Sequence, residues 1–207
     1  KNELAAEGGD GEMFPIKCDL KDTEAIADMF CKIHAKYGKL HVCVNNAGLG
    51  HDAPLLSGET AKWEEMFRVN VLALAVCTRE AIKVMRDGSV PDGHVIHISS
   101  MSGHRIETPP QGHFYAATKH AVKAMTEGLR RELREQNSDI RVTSISPGNV
   151  ETEFGARMFA HSPQKPTPSE FKELESEDIV NSVMHALTAP KHCLIQDILI
   201  RPLGQME

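Results

Sequence analysis

The chain has 207 residues, 41% hydrophobic and 25% charged, enough to bury one sizeable core, so residues 1–207 are read as a single domain. Its net charge of -6, with 23 basic and 29 acidic residues interspersed, excludes a nucleic-acid or polyanion surface and favours a small or apolar ligand. The longest apolar stretch, Val69 to Cys77, is broken by Asn70 and far too short to span a bilayer, and the opening KNELAAEGG lacks the form of a signal peptide. The five cysteines are scattered with no C-x-x-C, the pattern of reduced, packed thiols, and the expected setting is cytoplasmic.

In chain order, Lys1 to Glu7 has the pattern of the last turns of an amphipathic helix, stopped by Gly8-Gly9-Asp10-Gly11. A short strand is predicted at Met13 to Cys18. A helix follows from about Thr23 to Tyr37, with Ile26, Met29, Phe30 and Ile33 on one face and Asp22 or Thr23 as its cap. Leu40 to Val44 is a continuous apolar run of the kind buried on both faces of a parallel sheet, and it ends in Asn45-Asn46-Ala47-Gly48. From Thr60 to about Arg86 the helical period places Trp63, Met66, Phe67, Val71, Leu74 and Met85 in the core, with Asn70 among them, until Asp87-Gly88 stops the helix. Val95 to Ile98 is the next strand and leads into Ser99-Ser100. A helix over Phe114 to Leu133 and a strand over Ile140 to Ile145 follow, the strand leading into Pro147-Gly148. The segment Glu151 to Glu170, interrupted by Pro163, Pro166 and Pro168, is too broken for a core element, and beside the strand ends it is either a flexible connection or a substrate lid, the lid being the favoured reading. Ser176-Glu177-Asp178 caps a last helix to Leu187, and Ile195 to Leu203 supplies the last strand. Alternating strand and helix predict an α/β fold, a doubly wound parallel sheet in a Rossmann-like three-layer sandwich, with ligands outside the carboxyl ends of the strands.

The chemistry-bearing residues converge on those ends. Residues four apart on a helix share a face, so Tyr115 and Lys119 point the same way. Lowering a tyrosine pKa from about 10 to about 7 takes on the order of 4 kcal/mol of phenolate stabilisation, and an adjacent cation is the direct means. Taken alone, this spacing is more often a solvated helix edge. Metal binding is not expected, because His94 and His97, three apart on a strand, face opposite sides. His113, beside Tyr115, faces a substrate pocket or solvent.

Asn45-Asn46-Ala47-Gly48, the helical Asn70, Ser99-Ser100, Tyr115-x-x-x-Lys119 and Pro147-Gly148 occur in that order, and together they resemble the short-chain dehydrogenase/reductase family over essentially the whole chain. The resemblance implies hydride transfer between a nicotinamide cofactor, NADP or NAD, and an alcohol or carbonyl carbon. By that resemblance Tyr115 is the proton donor and acceptor, and Lys119 holds the cofactor ribose and favours the phenolate. Ser100 hydrogen-bonds the substrate oxygen, and Asn70 holds a water that links Lys119 to solvent. Asp19, Leu20, Asn46, Ala47, Gly48, Pro147, Gly148, Val150 and Thr152 line the cofactor, and His113 joins Ser100 and Tyr115 at the substrate. The family pattern of two serines before x-x-Gly selects Ser100, fifteen residues before Tyr115, whereas the commoner spacing of thirteen selects Ser102. The runs MFRVNVLAL, ISSMSGHR, HFYAATK and TEGLRRELRE narrow the resemblance to a branch with apolar substrates, ketosteroids or terpenoid alcohols.

The glycine-rich turn that opens such folds is absent from the sequence, and Gly8-Gly9-Asp10-Gly11, between a helix and a strand, does not replace it. The first strand-helix-strand unit is therefore expected to be lacking, and with it the residue that chooses between NAD and NADP. An alternative is a truncated, non-catalytic product that keeps a dimer surface but holds no dinucleotide. In the resembling fold this loss leaves Met13 to Cys18 without a partner and Leu40 to Val44 at an exposed edge. A homodimer or homotetramer is expected through the helices Ala61 to Arg86 and Phe114 to Leu133, whose Leu74, Val76, Val122, Met125 and Leu129 suggest apolar surface on more than one face.

Overall fold

The computed structural model describes residues 11–106, 109–160 and 170–205. The helix expected at Lys1 to Glu7 and the three lid prolines lie outside them. Four parallel strands, β1 (Val42–Asn45), β2 (His94–Ile98), β3 (Arg141–Pro147) and β4 (Asp197–Ile200), form one sheet in that order. Asn45 pairs with His97, Ile98 with Ile145, and Pro147 with Ile200, so the carboxyl ends of the strands lie side by side. This is a Rossmann-like α/β sheet flanked by helices.

Helix α1 (Thr23–Tyr37) starts where the Asp22 carboxylate accepts the N–H groups of Glu24 and Ala25 at 2.9 and 3.2 Å. It stops at Gly38, whose φ of 71° is left-handed and whose N–H returns to the His34 carbonyl. Helix α2 (Thr60–Phe67) runs through a π-helical turn, Arg68–Ala73, into α3 (Leu74–Asp87) without leaving helical backbone. Helix α4 (His113–Glu135) packs on the π turn and β3. Two short 3-10 turns, Met101–Gly103 and Pro110–Gly112, precede it. Helix α5 (Glu153–Met158) follows β3, and α6 (Ser176–Thr188) packs on β3. No helix among the described residues is long and apolar enough to cross a membrane.

Three expectations are corrected. Met13 to Cys18 forms no strand: an apolar run makes a strand only where another strand offers its unpaired N–H and C=O groups. Phe14 instead packs edge-on against Tyr37, with the Lys36 ammonium 4.2 Å from its ring centroid. The composition of Leu40 to Val44 predicts a doubly buried strand, whereas it lies at the edge that lack of the first strand-helix-strand unit predicts, with Val42 and Val44 left 37% and 44% exposed. The cap of α6 is Glu175, which forms a reciprocal box with Asp178, so the helix begins one residue earlier than a Ser176 cap implies.

The core has two parts. Ile26 and Phe30 of α1 meet Ala73, Val76, Cys77, Ala81 and Val84. Ile82, Met85 and Val90 meet Val95, Leu133, Ile140 and Val142. Leu74, Val76 and Val122, expected to show apolar surface to a second chain, are buried within this one because the helix around the π turn is covered by α1, α4 and the sheet. Phe67, expected in the core, is half exposed.

Two histidines lie inside the sheet. His94 meets the Thr143 hydroxyl at 2.8 Å, and His97 meets Thr78 and Thr126. Burial brings both imidazoles down from 6.5 to about 4. Between pH 6.5 and about 4 the unfolded chain binds protons that the folded chain refuses. Stability is therefore complete above pH 6.5 and is lost as the pH falls through that window, by about 3 kcal/mol for His97. Urea midpoints measured downward from neutrality are expected to fall steeply in that range, and a flat profile would refute the neutral, buried assignment.

Candidate active site

The carboxyl ends of β1 and β2 and the first turns of α4 meet around Lys119. Its side chain is only 5% exposed, and its ammonium donates to the Ile98 carbonyl at 3.0 Å, the last carbonyl of β2. Desolvation brings its pKa from 10.5 to about 8. The same ammonium lies 5.6 Å from the centre of the Tyr115 ring, as the four-residue spacing requires. Gly48 passes this group closely: a Cβ there would sit 3.6 Å from Lys119 Nζ and 3.5 Å from Asn70 Oδ1. Asn46, Ala47 and Gly48 are exposed, so the loop after β1 lies between the lysine and solvent.

Asn70 holds that loop. Its amide oxygen accepts the Leu49 N–H at 2.9 Å, and its amide nitrogen donates to the Leu49 carbonyl at 2.8 Å and to the Thr118 hydroxyl at 3.0 Å. Thr118 donates in turn to the Tyr115 carbonyl at 2.7 Å. The side chain expected to hold a water toward Lys119 thus has both hydrogens committed to protein, while its amide oxygen, which accepts one N–H, keeps a second lone pair.

The three serines differ. Ser99 is 5% exposed, and its hydroxyl has no hydrogen-bond partner among the described residues. Ser100 is half-buried and caps the Met101–Gly103 turn by accepting the Ser102 N–H at 3.1 Å. Ser102 is itself buried. Gly103 lets this turn lie against α4, because a Cβ there would stand 2.9 Å from the Lys119 carbonyl.

Short α5 covers Tyr115. Thr152 caps it, and Phe154 sits with its ring centre 5.5 Å from that of Tyr115, tilted by 55°. The far end is held by the Asp52 N–H, which donates to the Met158 carbonyl at 3.2 Å, and by Met158 packed on Gly50. Behind it, Gly148 donates to the Ile200 carbonyl at 2.7 Å, Val150 bridges Leu174, and Asn149 is held by the Gln205 side chain at 3.0 Å. Trp63 stacks on Phe114, ring centres 5.5 Å apart.

The structure therefore brings together Gly48, Asn70, Tyr115 and Lys119, with Ser100 at the neighbouring strand end and Pro147 to Thr152 beyond. His113 opens α4 one turn before Ala116. Asp19 turns its carboxylate to the Lys21 N–H, and the Leu20 side chain packs against the α1 core. Thr118, Leu49 and Phe154 were not singled out as site residues. Phe154 stood in the lid segment, whereas nothing in the sequence marks Thr118 or Leu49. Among the described residues, no three His, Cys, Asp or Glu side chains gather as metal ligands would.

The short chain dehydrogenase family model matches residues 1–163. The chain is 49% identical over 210 residues to dehydrogenase/reductase SDR family member 11 of Bos taurus, covering 99% of this chain and 82% of that protein. It is 38% identical over 191 residues to farnesol dehydrogenase of Aedes aegypti, covering 92% and 75%. The fold matches the closed form of serine dehydrogenase complexed with NADP+, with a TM-score of 0.86 and 30% identity over 100% of this chain and 82% of that one. It also matches an alcohol dehydrogenase from Thermococcus sibiricus complexed with 5-hydroxy-NADP, with a TM-score of 0.83 and 25% identity over 100% and 81%.

Replacing Asn70 by Ala removes three hydrogen bonds and leaves Leu49 and Thr118 without those partners. A loss of about 2 kcal/mol is expected, lowering the thermal midpoint by roughly 4–8 °C. An unchanged midpoint would show that the clamp contributes nothing.

Proposed function

The chain belongs to the short-chain dehydrogenase/reductase family, and from that premise we propose that it moves a hydride between a nicotinamide cofactor and the carbonyl or hydroxyl carbon of a small apolar substrate. The observation that carries this reading is the buried, desolvated ammonium of Lys119 held beside Tyr115 on one helix face at the carboxyl ends of the strands. The chain's residues fit such a cofactor. The backbone at Gly48 approaches the lysine closely enough that a Cβ would reach it, and Asn46 to Gly48 and Gly148 to Thr152 follow the carboxyl ends of β1 and β3.

The bound nicotinamide supplies or accepts the hydride. Tyr115 gives its phenolic proton to the substrate oxygen in reduction and takes it back in oxidation. Lys119, cationic below about pH 8, favours the phenolate electrostatically and turns its remaining N–H groups toward the cofactor ribose. Ser100, less buried than Ser99 or Ser102, hydrogen-bonds the substrate oxygen as charge develops there. Asp19 and Leu20 border the cofactor through main chain, and His113 stands on the substrate side. Phe154, Met158, Phe114 and Trp63 supply apolar surface around Tyr115. That surface suits a terpenoid alcohol or ketosteroid, in line with the similarity to the mosquito farnesol dehydrogenase. NADP is the preferred cofactor, since two of the solved relatives carry it or its 5-hydroxy form, and NAD is the comparison. A cytoplasmic homodimer is proposed, with Phe67 and Leu72 as exposed apolar contacts.

The test follows reduced-nicotinamide absorbance with a panel of terpenoid alcohols and ketosteroids. Tyr115→Phe is expected to cost about 10²–10⁴ in kcat. Ser100→Ala is expected to lose far more than Ser102→Ala, and the opposite order would reassign the serine. In the reduction direction kcat/KM is expected to fall as the pH rises past about 8, where Lys119 loses its charge. A protein that turns over none of the panel with either dinucleotide would sink the proposal.

A further inference from the structure

A second polar network lies behind the site, and its proton directions can be assigned bond by bond. The Thr126 hydroxyl donates to the Val122 carbonyl at 2.7 Å, so toward His97 it acts only as an acceptor. His97 Nδ1, 2.8 Å away, must therefore carry the proton. A neutral imidazole then has a bare Nε2, which accepts the Thr78 hydroxyl at 3.1 Å. Thr78, having donated, accepts the side-chain amide of Asn45 at 3.0 Å. The bonds run in one direction, Asn45 to Thr78 to His97 to Thr126 to the Val122 carbonyl, with no donor facing a donor.

The wire joins β1, α3, β2 and α4, four of the elements that carry the candidate site. Asn45 ends β1 immediately before the Asn46 to Gly48 loop. Thr78 is eight residues beyond Asn70 on the same continuous helix. His97 lies two residues before Ser99 and is paired in register with Asn45. Val122 and Thr126, three and seven residues past Lys119, lie on the helix face that carries it. His97, Thr126 and Val122 are almost fully buried, so no solvent competes for these bonds. The charged groups bearing on His97 are Arg130 and Lys119, both on α4 and both acting to keep a second proton off it.

We infer that His97 is a positioning residue: as a neutral imidazole with its proton fixed on Nδ1, it registers β1 and α3 against α4 and so sets where Lys119 and Tyr115 stand. The catalytic half of this inference rests on the dehydrogenase reading, while the structural half does not. Leucine would fill a similar volume but strand a donor on one side and an acceptor on the other, and the register of α4 would then rest on apolar contact alone.

Two measurements decide it. In the ¹⁵N-histidine protein, the ring signals that vanish in His97→Gln are expected to show the Nδ1–H tautomer and to stay unmoved from about pH 5.5 to about pH 8. An Nε2–H ring, or one that titrates in that range, overturns the assignment. Thr78→Val and Thr126→Val are each expected to lower kcat about tenfold with both KM values within about twofold, and the double variant to lose little more than the worse single, because both cut one wire. Thr78→Ser and Thr126→Ser, which keep the hydroxyl, are expected to restore the rate. Additive losses, or losses that serine does not restore, would show independent packing effects and overturn the proposal. If no substrate is turned over, the dehydrogenase reading fails separately, and amide exchange decides the register instead. Thr126→Val is expected to speed exchange at Tyr115 and Lys119 while β3 is unchanged, and equal exchange in both variants and the parent overturns it.

Discussion

The ammonium of Lys119 is a charge held out of water, and much of the surrounding structure is explained by what that demands. Bringing its pKa to about 8 corresponds to about 3 kcal/mol of disfavoured ionisation, against which the Ile98 carbonyl and the negative face of the Tyr115 ring act. Ile98 can offer its carbonyl because β2 ends there. Gly103 can bring the next turn against the Lys119 carbonyl because it has no Cβ. Gly48 leaves the remaining side of the ammonium uncovered by any side chain of its own.

The loop that carries Gly48 is exposed and has little apolar content, so its position depends on hydrogen bonds. Asn70 supplies them by treating Leu49 as a strand neighbour would, accepting its N–H and donating to its carbonyl. The π turn aims that amide inward from a helix whose other residues pack conventionally, and Thr118 transmits the hold to the backbone of Tyr115. The acid-base residue and the glycine loop are thus tied through one amide.

Local pattern made much of this legible in the sequence. Asp22 and Gly38 bound α1 because a cap and a left-handed glycine act within one turn. The central strands β2 and β3 and the helix carrying Tyr115 were placed within a few residues, because burial imposes periodicity on the sequence itself. What local pattern does not carry depends on distant partners. Met13 to Cys18 has strand composition but no strand beside it, and Val42 to Asn45 has the composition of a central strand while sitting at an edge. The π turn adds a single residue to a turn, too little to disturb an apolar period. The Asn70 contacts with Leu49 and Thr118 span 21 and 48 residues and leave no local trace.

Helix α5 shows how far access to Tyr115 depends on those same long-range ties. Six residues are well below the length at which a helix holds itself, so the Thr152 cap, the Asp52 N–H and the seat of Met158 on Gly50 must keep it in place. Asp52 and Gly50 belong to the connection that Asn70 grips at Leu49. The segment that lays Phe154 against Tyr115 and the loop that approaches Lys119 are therefore not independent: both take their position from the stretch between Gly48 and Asp52. Displacing that stretch would uncover the phenol and alter the surroundings of the ammonium together, which places the control of the site in a loop that carries none of its ionisable groups.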